Sequence, residues 1–145
     1  MANFVDYNQI LTDLVTLLTA QVTGVEKVGK NLDARDYTFA QMPLIDVRLK
    51  QAVPDLTGQQ NYYVRVVVEV EIACHDLSSR NEAAILRDNL LNQVHRAVQT
   101  NPRFGSVVDS TEIGPVEFET QEDVDSGAFV SAAVAQLSVY VYSQG

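Results

Sequence analysis

Few residues in this chain have the type and spacing for chemistry. Glu69 and Glu71 stand two apart in the stretch Tyr62 to His75, on one side of a chain of alternating residues. Paired carboxylates can divide acid and base work between them, and the alternative is a wetted strand face. The chain has two histidines, His75 and His95, with no His or Cys partner at metal-ligand spacing. Cys74 is the sole cysteine and falls on the apolar side of the same stretch, where it reads as a small buried hydrophobe. Ser110 and Ser131 lack the turn that exposes a nucleophile. Asp123-Val-Asp125-Ser-Gly127 resembles part of a calcium loop but has neither the downstream Glu nor flanking helices, so it reads as a solvated turn. The seven glycines are scattered and form no phosphate-binding loop. The expectation is therefore no catalytic residues, no metal and no cofactor, hence not an enzyme.

The elements that position these residues follow from periodicity. In Tyr62 to His75, Val64, Val66, Val68, Val70, Ile72 and Cys74 fall on one side. Arg65, Glu69 and Glu71 fall on the other, with Val67 and Ala73 between them. This period of two predicts a strand with one buried face. Its length, well above the usual ~5–6 residues, predicts a central place in a sheet. Pro43 opens a second strand, Leu44 to Lys50, with Ile45, Val47 and Leu49 facing inward. Pro54-Asp55 and Thr57-Gly58 mark a long connection, Gln51 to Asn61, that joins these two strands as an antiparallel hairpin. Ala128 to Ser143 reads as another long strand, with Phe129, Ala133, Ala135, Leu137, Val139 and Val141 inward and Tyr140 and Tyr142 outward. Ile113 to Thr120 reads as a strand with Val116 and Phe118 inward, Val107 to Ser110 as a possible lead-in to it, and Val25 to Lys30 as a short edge.

Two amphipathic helices complete the chain. Residues 6–21 carry Ile10, Leu11, Leu14, Val15, Leu17 and Leu18 at helical spacing, with Asp6 or Asn8 as cap and Gly24 as terminator. Residues 79–100 follow Ser78 or Ser79 as cap, with Glu82 placed for a capping box. Their inner stripe is Ala83, Leu86, Leu90, Val94 and Ala97, widened by Ala84, Leu91 and Val98. Their wet face is Glu82, Arg87, Asp88, Asn92, Gln93, Arg96 and Gln99. The order α-β-β-β-α-β-β predicts an α+β fold, a mostly antiparallel sheet with both helices on one face. Residues 1–145 read as one domain, for want of any linker or repeat.

Composition narrows the function classes. The net charge of −9, from 19 acidic and 10 basic residues, opposes a grip on nucleic-acid phosphates. No apolar run approaches the ~18 residues of a membrane helix, and the opening Met-Ala-Asn-Phe-Val-Asp has no leader character. A one-sided sheet leaves its other face to solvent or to another subunit. That face combines Arg65, Glu69, Glu71, Tyr140 and Tyr142, an interface-like mixture. The loop Ala52–Gln60, with Val53, Pro54, Asp55 and Leu56, reads as a contact arm. Glu122, Asp123 and Asp125 form an acidic turn.

The chain resembles the tail-terminator, or tail-completion, proteins of long-tailed bacteriophages. The likeness lies in the element order and in several phrases. These are the first helix ending Gln-Val-Thr-Gly-Val, Met42-Pro-Leu-Ile-Asp-Val-Arg-Leu, the strand Tyr62 to His75 and Leu86-Arg-Asp-Asn-Leu-Leu-Asn-Gln-Val-His-Arg-Ala-Val. Asn101-Pro-Arg and the small-residue strand Ser131-Ala-Ala-Val-Ala-Gln-Leu-Ser-Val-Tyr-Val-Tyr complete it. The resemblance implies a structural virion protein at the tail–neck junction, made in the host cytoplasm. It would form a ring, hexameric in this reading, that caps the tail tube, stops its polymerisation and docks the neck or head–tail connector protein. Its partners would be further copies of itself, the tail-tube protein and the connector, with DNA passing through unbound and no membrane involved. The acidic turn would then face the lumen or solvent, and the open face and the arm would meet neighbouring subunits or the tube. A connector or tube subunit is the nearest other reading, and a small ligand-binding or enzymatic domain a more distant one.

Overall fold

A computed structural model describes residues 5–32, 42–55, 61–76, 79–122 and 129–144. The first helix, α1 (Tyr7–Gln21), begins where the Asp6 carboxylate accepts the Gln9 N–H at 3.0 Å, so Asp6 is the cap. The helix buries Ile10, Leu11, Leu14 and Leu18, one stripe at 3.6-residue spacing. It stops at Val22, whose backbone is extended, and Gly24 lies beyond it at φ +81°. The second helix, α2 (Arg80–Thr100), starts at Ser79, whose hydroxyl accepts the Glu82 N–H at 3.2 Å. The expected reciprocal bond is made by another residue: the Ser79 N–H donates to Asp76 at 2.8 Å. The helix buries Ala83, Leu90, Leu91, Val94, Ala97 and Val98.

Five strands form one sheet: β1 (Lys27–Lys30), β2 (Leu44–Asp55), β3 (Asn61–Asp76), β4 (Ser110–Glu122) and β5 (Phe129–Gln144). They lie in the order β1-β2-β3-β5-β4, antiparallel except for the parallel β1–β2 pair. The alternating residues of β3 and β5 interleave on one face, where Val64, Val66, Val68, Val70, Ile72 and Cys74 meet Ala133, Ala135, Leu137, Val139 and Val141. Both helices pack on that face. The small alanines of β5 let α2 lie close, and each β-branched residue on β3 would be exposed by a one-residue slip. The α+β architecture and the antiparallel β2–β3 pairing are as expected.

Several local expectations are corrected. β2 does not end at Lys50. A bulge between Leu49 and Gln51 bends it, and it continues to Asp55 with Val53 opposite Arg65 and Pro54 opposite Val64. The turn signal at Pro54-Asp55 is overridden because a strand closing toward its hairpin tolerates proline. Likewise β4 starts at Ser110, not before it, and runs to Glu122, a residue expected in the acidic turn. Its own bulge falls at Gly114-Pro115, where a Cβ on Gly114 would stand 3.0 Å from the Gln136 carbonyl oxygen. Phe118 lies on the helix side but stays 55% exposed, with the Arg87 guanidinium of α2 4.7 Å from its ring centre. Gln93 is not simply wet: its side chain accepts the Thr23 N–H and donates to the Thr23 carbonyl, tying α2 to the end of α1.

Candidate functional site

The sheet face opposite the helices is covered by no described helix. Its residues come from alternate positions on four strands: Asp46, Arg48 and Val53 on β2, Tyr63, Arg65, Val67, Glu69 and Glu71 on β3. Ser138, Tyr140 and Tyr142 on β5 and Glu112, Glu117 and Glu119 on β4 extend it. The face divides into two regions of different character.

The β2–β3 half holds a charge network. The Arg48 guanidinium donates to Glu69 at 3.2 Å, to Glu71 at 2.9 Å and to Asp46 at 3.3 Å. Asp46 is fully buried and accepts the Leu32 N–H at 2.8 Å. Burial pushes its carboxyl above the usual carboxylate range, against the pull of Leu32 and Arg48. Burial also acts to lower the Arg48 pKa, but hydrogen bonds and charge from Glu71 and Glu69 raise it on balance. Lys50 stands 3.9 Å from Glu69 at the rim. Glu69 and Glu71 are thus brought together, but around a shared guanidinium rather than an open cleft. A charge-assisted bridge between strands is their evident role. The inward alternation of Ile45, Val47 and Leu49 leaves Arg48 on the outward side but does not reveal it as a hub. The available signal was the run Asp46-Val-Arg48 facing Glu69-Val-Glu71 across the hairpin.

The β3–β5 half is aromatic. Tyr63 and Tyr142 are cross-strand partners whose ring centres lie 4.9 Å apart at 53°. They remain 45% and 42% exposed. Tyr140 pairs with Arg65 and donates its hydroxyl proton to Glu112 at 3.2 Å. Burial, with Glu112 as acceptor, raises the phenol's pKa, and Arg65 opposes this. Val53 lies beside Arg65 at the edge of this patch. Four of the expected interface residues, Val53, Arg65, Tyr140 and Tyr142, therefore gather near one end of the open face, whereas Pro54, opposite the buried Val64, falls on the helix side. Tyr63 belongs with them and was not singled out, although its place one residue before Val64 in the alternating run puts it on that face. Val67, expected to be exposed here, is only 6% exposed, because Gln51 and Ser138 flank it in the neighbouring strands. Leu56, Asp123 and Asp125 lie outside the described residues, as do the side chains of Asp55 and Glu122.

Elsewhere the chemistry is sparse. Cys74 is buried and its thiol is pushed up to about 12, so thiolate chemistry is closed at neutral pH. Among the described residues, no group of three or more His, Cys, Asp and Glu side chains is placed to hold a metal ion. No described helix is long and apolar enough to cross a membrane. A cleft of about 530 Å³ opens between α1 and the chain after α2, lined by Asp13, Thr16, Leu17, Asn101, Arg103 and Phe104. Asp13 closes against Gly105 there, whose φ of +73° and contact with the carboxylate leave no room for a side chain. Compared with known protein families and with curated proteins, the chain matches none.

Proposed function

We propose that this chain is a structural subunit of a long-tailed phage virion, a tail terminator. It assembles as a ring, hexameric in this reading, on the last ring of the tail tube at the tail–neck junction. The observation that supports it best is the open sheet face, with Tyr63 and Tyr142 paired beside Arg65 and Val53 and each ring more than two fifths exposed. Aromatic and arginine side chains grouped on an uncovered face suit burial against protein. The ring stops tube growth by occupying its end and offers its far side to the neck connector. Net acidity keeps DNA from adhering as it passes.

The test is molar mass by light scattering over a concentration series, with negative-stain images of the heaviest species, alone and with purified tail tubes. Closed rings of one size, found at tube ends, are the expected result. Long tubes of this protein alone would move the assignment to a tube subunit. A monomer that ignores tail tubes and binds a small molecule would move it to a ligand-binding or enzymatic domain.

A further inference from the structure

The two edges of the sheet carry matching groups at matching heights. One row of paired residues runs straight across as Glu119, Ala132, Ala73, Leu44, Lys27. The next runs as Phe118, Ala133, Ile72, Ile45, Val28. An acid at the β4 end is thus level with a base at the β1 end. The exposed Phe118 is level with Val28. The signs are segregated as well: β4 holds glutamates and no Lys or Arg, whereas β1 holds two lysines and no acid. No described strand pairs with the outer side of β4 or of β1.

Strand direction agrees. β1 and β2 run one way and β4 the other, so an unflipped copy set alongside brings β4 antiparallel to β1. From these rows we propose that β4 of one copy pairs with the outer edge of β1 in the next. Glu119 then faces Lys27 and Phe118 faces Val28. The contact rests on the ring reading above and names the surface that closes the ring. It joins two different edges, so it propagates from copy to copy instead of ending at a pair. Glu112, Glu117 and Glu119 repel a second β4, which removes the competing edge-to-edge dimer. Charge sets the register and sign of the partner, and the row of Phe118 and Val28 contributes the burial.

The experiment uses two charge-reversed chains, each checked for its fold by circular dichroism. Glu117→Lys with Glu119→Lys gives two basic edges; Lys27→Glu with Lys30→Glu gives two acidic ones. Each alone is expected to lose the oligomer in light scattering, and an equimolar mixture is expected to regain it as alternating rings. Oligomers from either folded variant alone, or a mixture that stays monomeric, would overturn the edge pairing. In those cases wild-type rings would still uphold the ring reading. A wild-type chain that is monomeric at every concentration and on tail tubes would overturn both.

Register is read separately with Val28→Cys and Phe118→Cys in one chain. Four strand spacings of ~4.8 Å separate these positions within a copy, beyond the ~7 Å limit for a disulfide. Mild oxidation is therefore expected to give a ladder of covalently joined copies, with the buried Cys74 silent. No ladder from wild-type-sized rings would overturn the proposed register.

Discussion

Arg48 on β2 donates to Glu71 on β3 across 2.9 Å, and the same guanidinium holds Asp46 and Glu69. Three carboxylates thus share one guanidinium on the open face, with Lys50 as a second cation beside Glu69. Replacing Arg48 with Met keeps its length and removes its charge. The cost at neutral pH is expected to be roughly 2 kcal/mol, between the ~0–1 of an exposed pair and the ~3–5 of a buried one. The difference from wild type is expected to shrink in acid as Asp46, whose carboxyl is raised by burial, takes up its proton. Urea denaturation at neutral and acid pH measures both, and a pH-independent difference would show that packing, not charge, was lost.

Leu90 is fully buried under α2 and belongs to the main core cluster. Leu90→Ala is expected to cost about 2–5 kcal/mol from lost contacts and the cavity left behind. Ile85 lies on the same helix but is 53% exposed, so Ile85→Ala is expected to stay within about 0.5 kcal/mol. Denaturant midpoints of the two variants compare the faces of α2 directly.

His95 faces burial without a partner at its Nε2, and burial lowers its pKa from the ordinary 6.5. In the window below 6.5 the unfolded chain therefore binds a proton that the folded chain does not. Stability from this site is fully present above that pH and falls as pH drops through the folded pKa. His95→Gln is expected to flatten that part of the stability profile. An NMR titration midpoint for His95 at or above 6.5 would contradict the direction.

Tyr63 and Tyr142 form a cross-strand aromatic pair on the open face. A double-mutant cycle with Tyr63→Ala and Tyr142→Ala is expected to give a coupling of about 0.5 kcal/mol, the low end for aromatic pairs because both rings are wet. If a neighbouring protein covers this face, the same substitutions weaken assembly far more than they weaken the fold. Comparing melting temperature with the apparent mass at fixed concentration separates the two effects.

Much of this fold is written in local pattern. The period of two in Val64 to Cys74 and the inward alanines of β5 specify buried strand faces. The Ser79 cap and the helical stripe through Leu90 specify α2. These signals survive because burying one face of an element needs only the right spacing along the chain. What lies between elements is decided elsewhere. Val53 and Pro54 look like turn residues, yet β3 offers them partners, and a paired backbone outweighs a local turn preference. Glu69 and Glu71 look like a catalytic pair until Arg48 arrives from the neighbouring strand. The buried Asp46 accepts the N–H of Leu32, 14 positions before it in the chain. The levels of Glu119 and Lys27 are set by four successive strand pairings. Such relationships depend on register between distant segments, and only the assembled sheet brings those segments side by side.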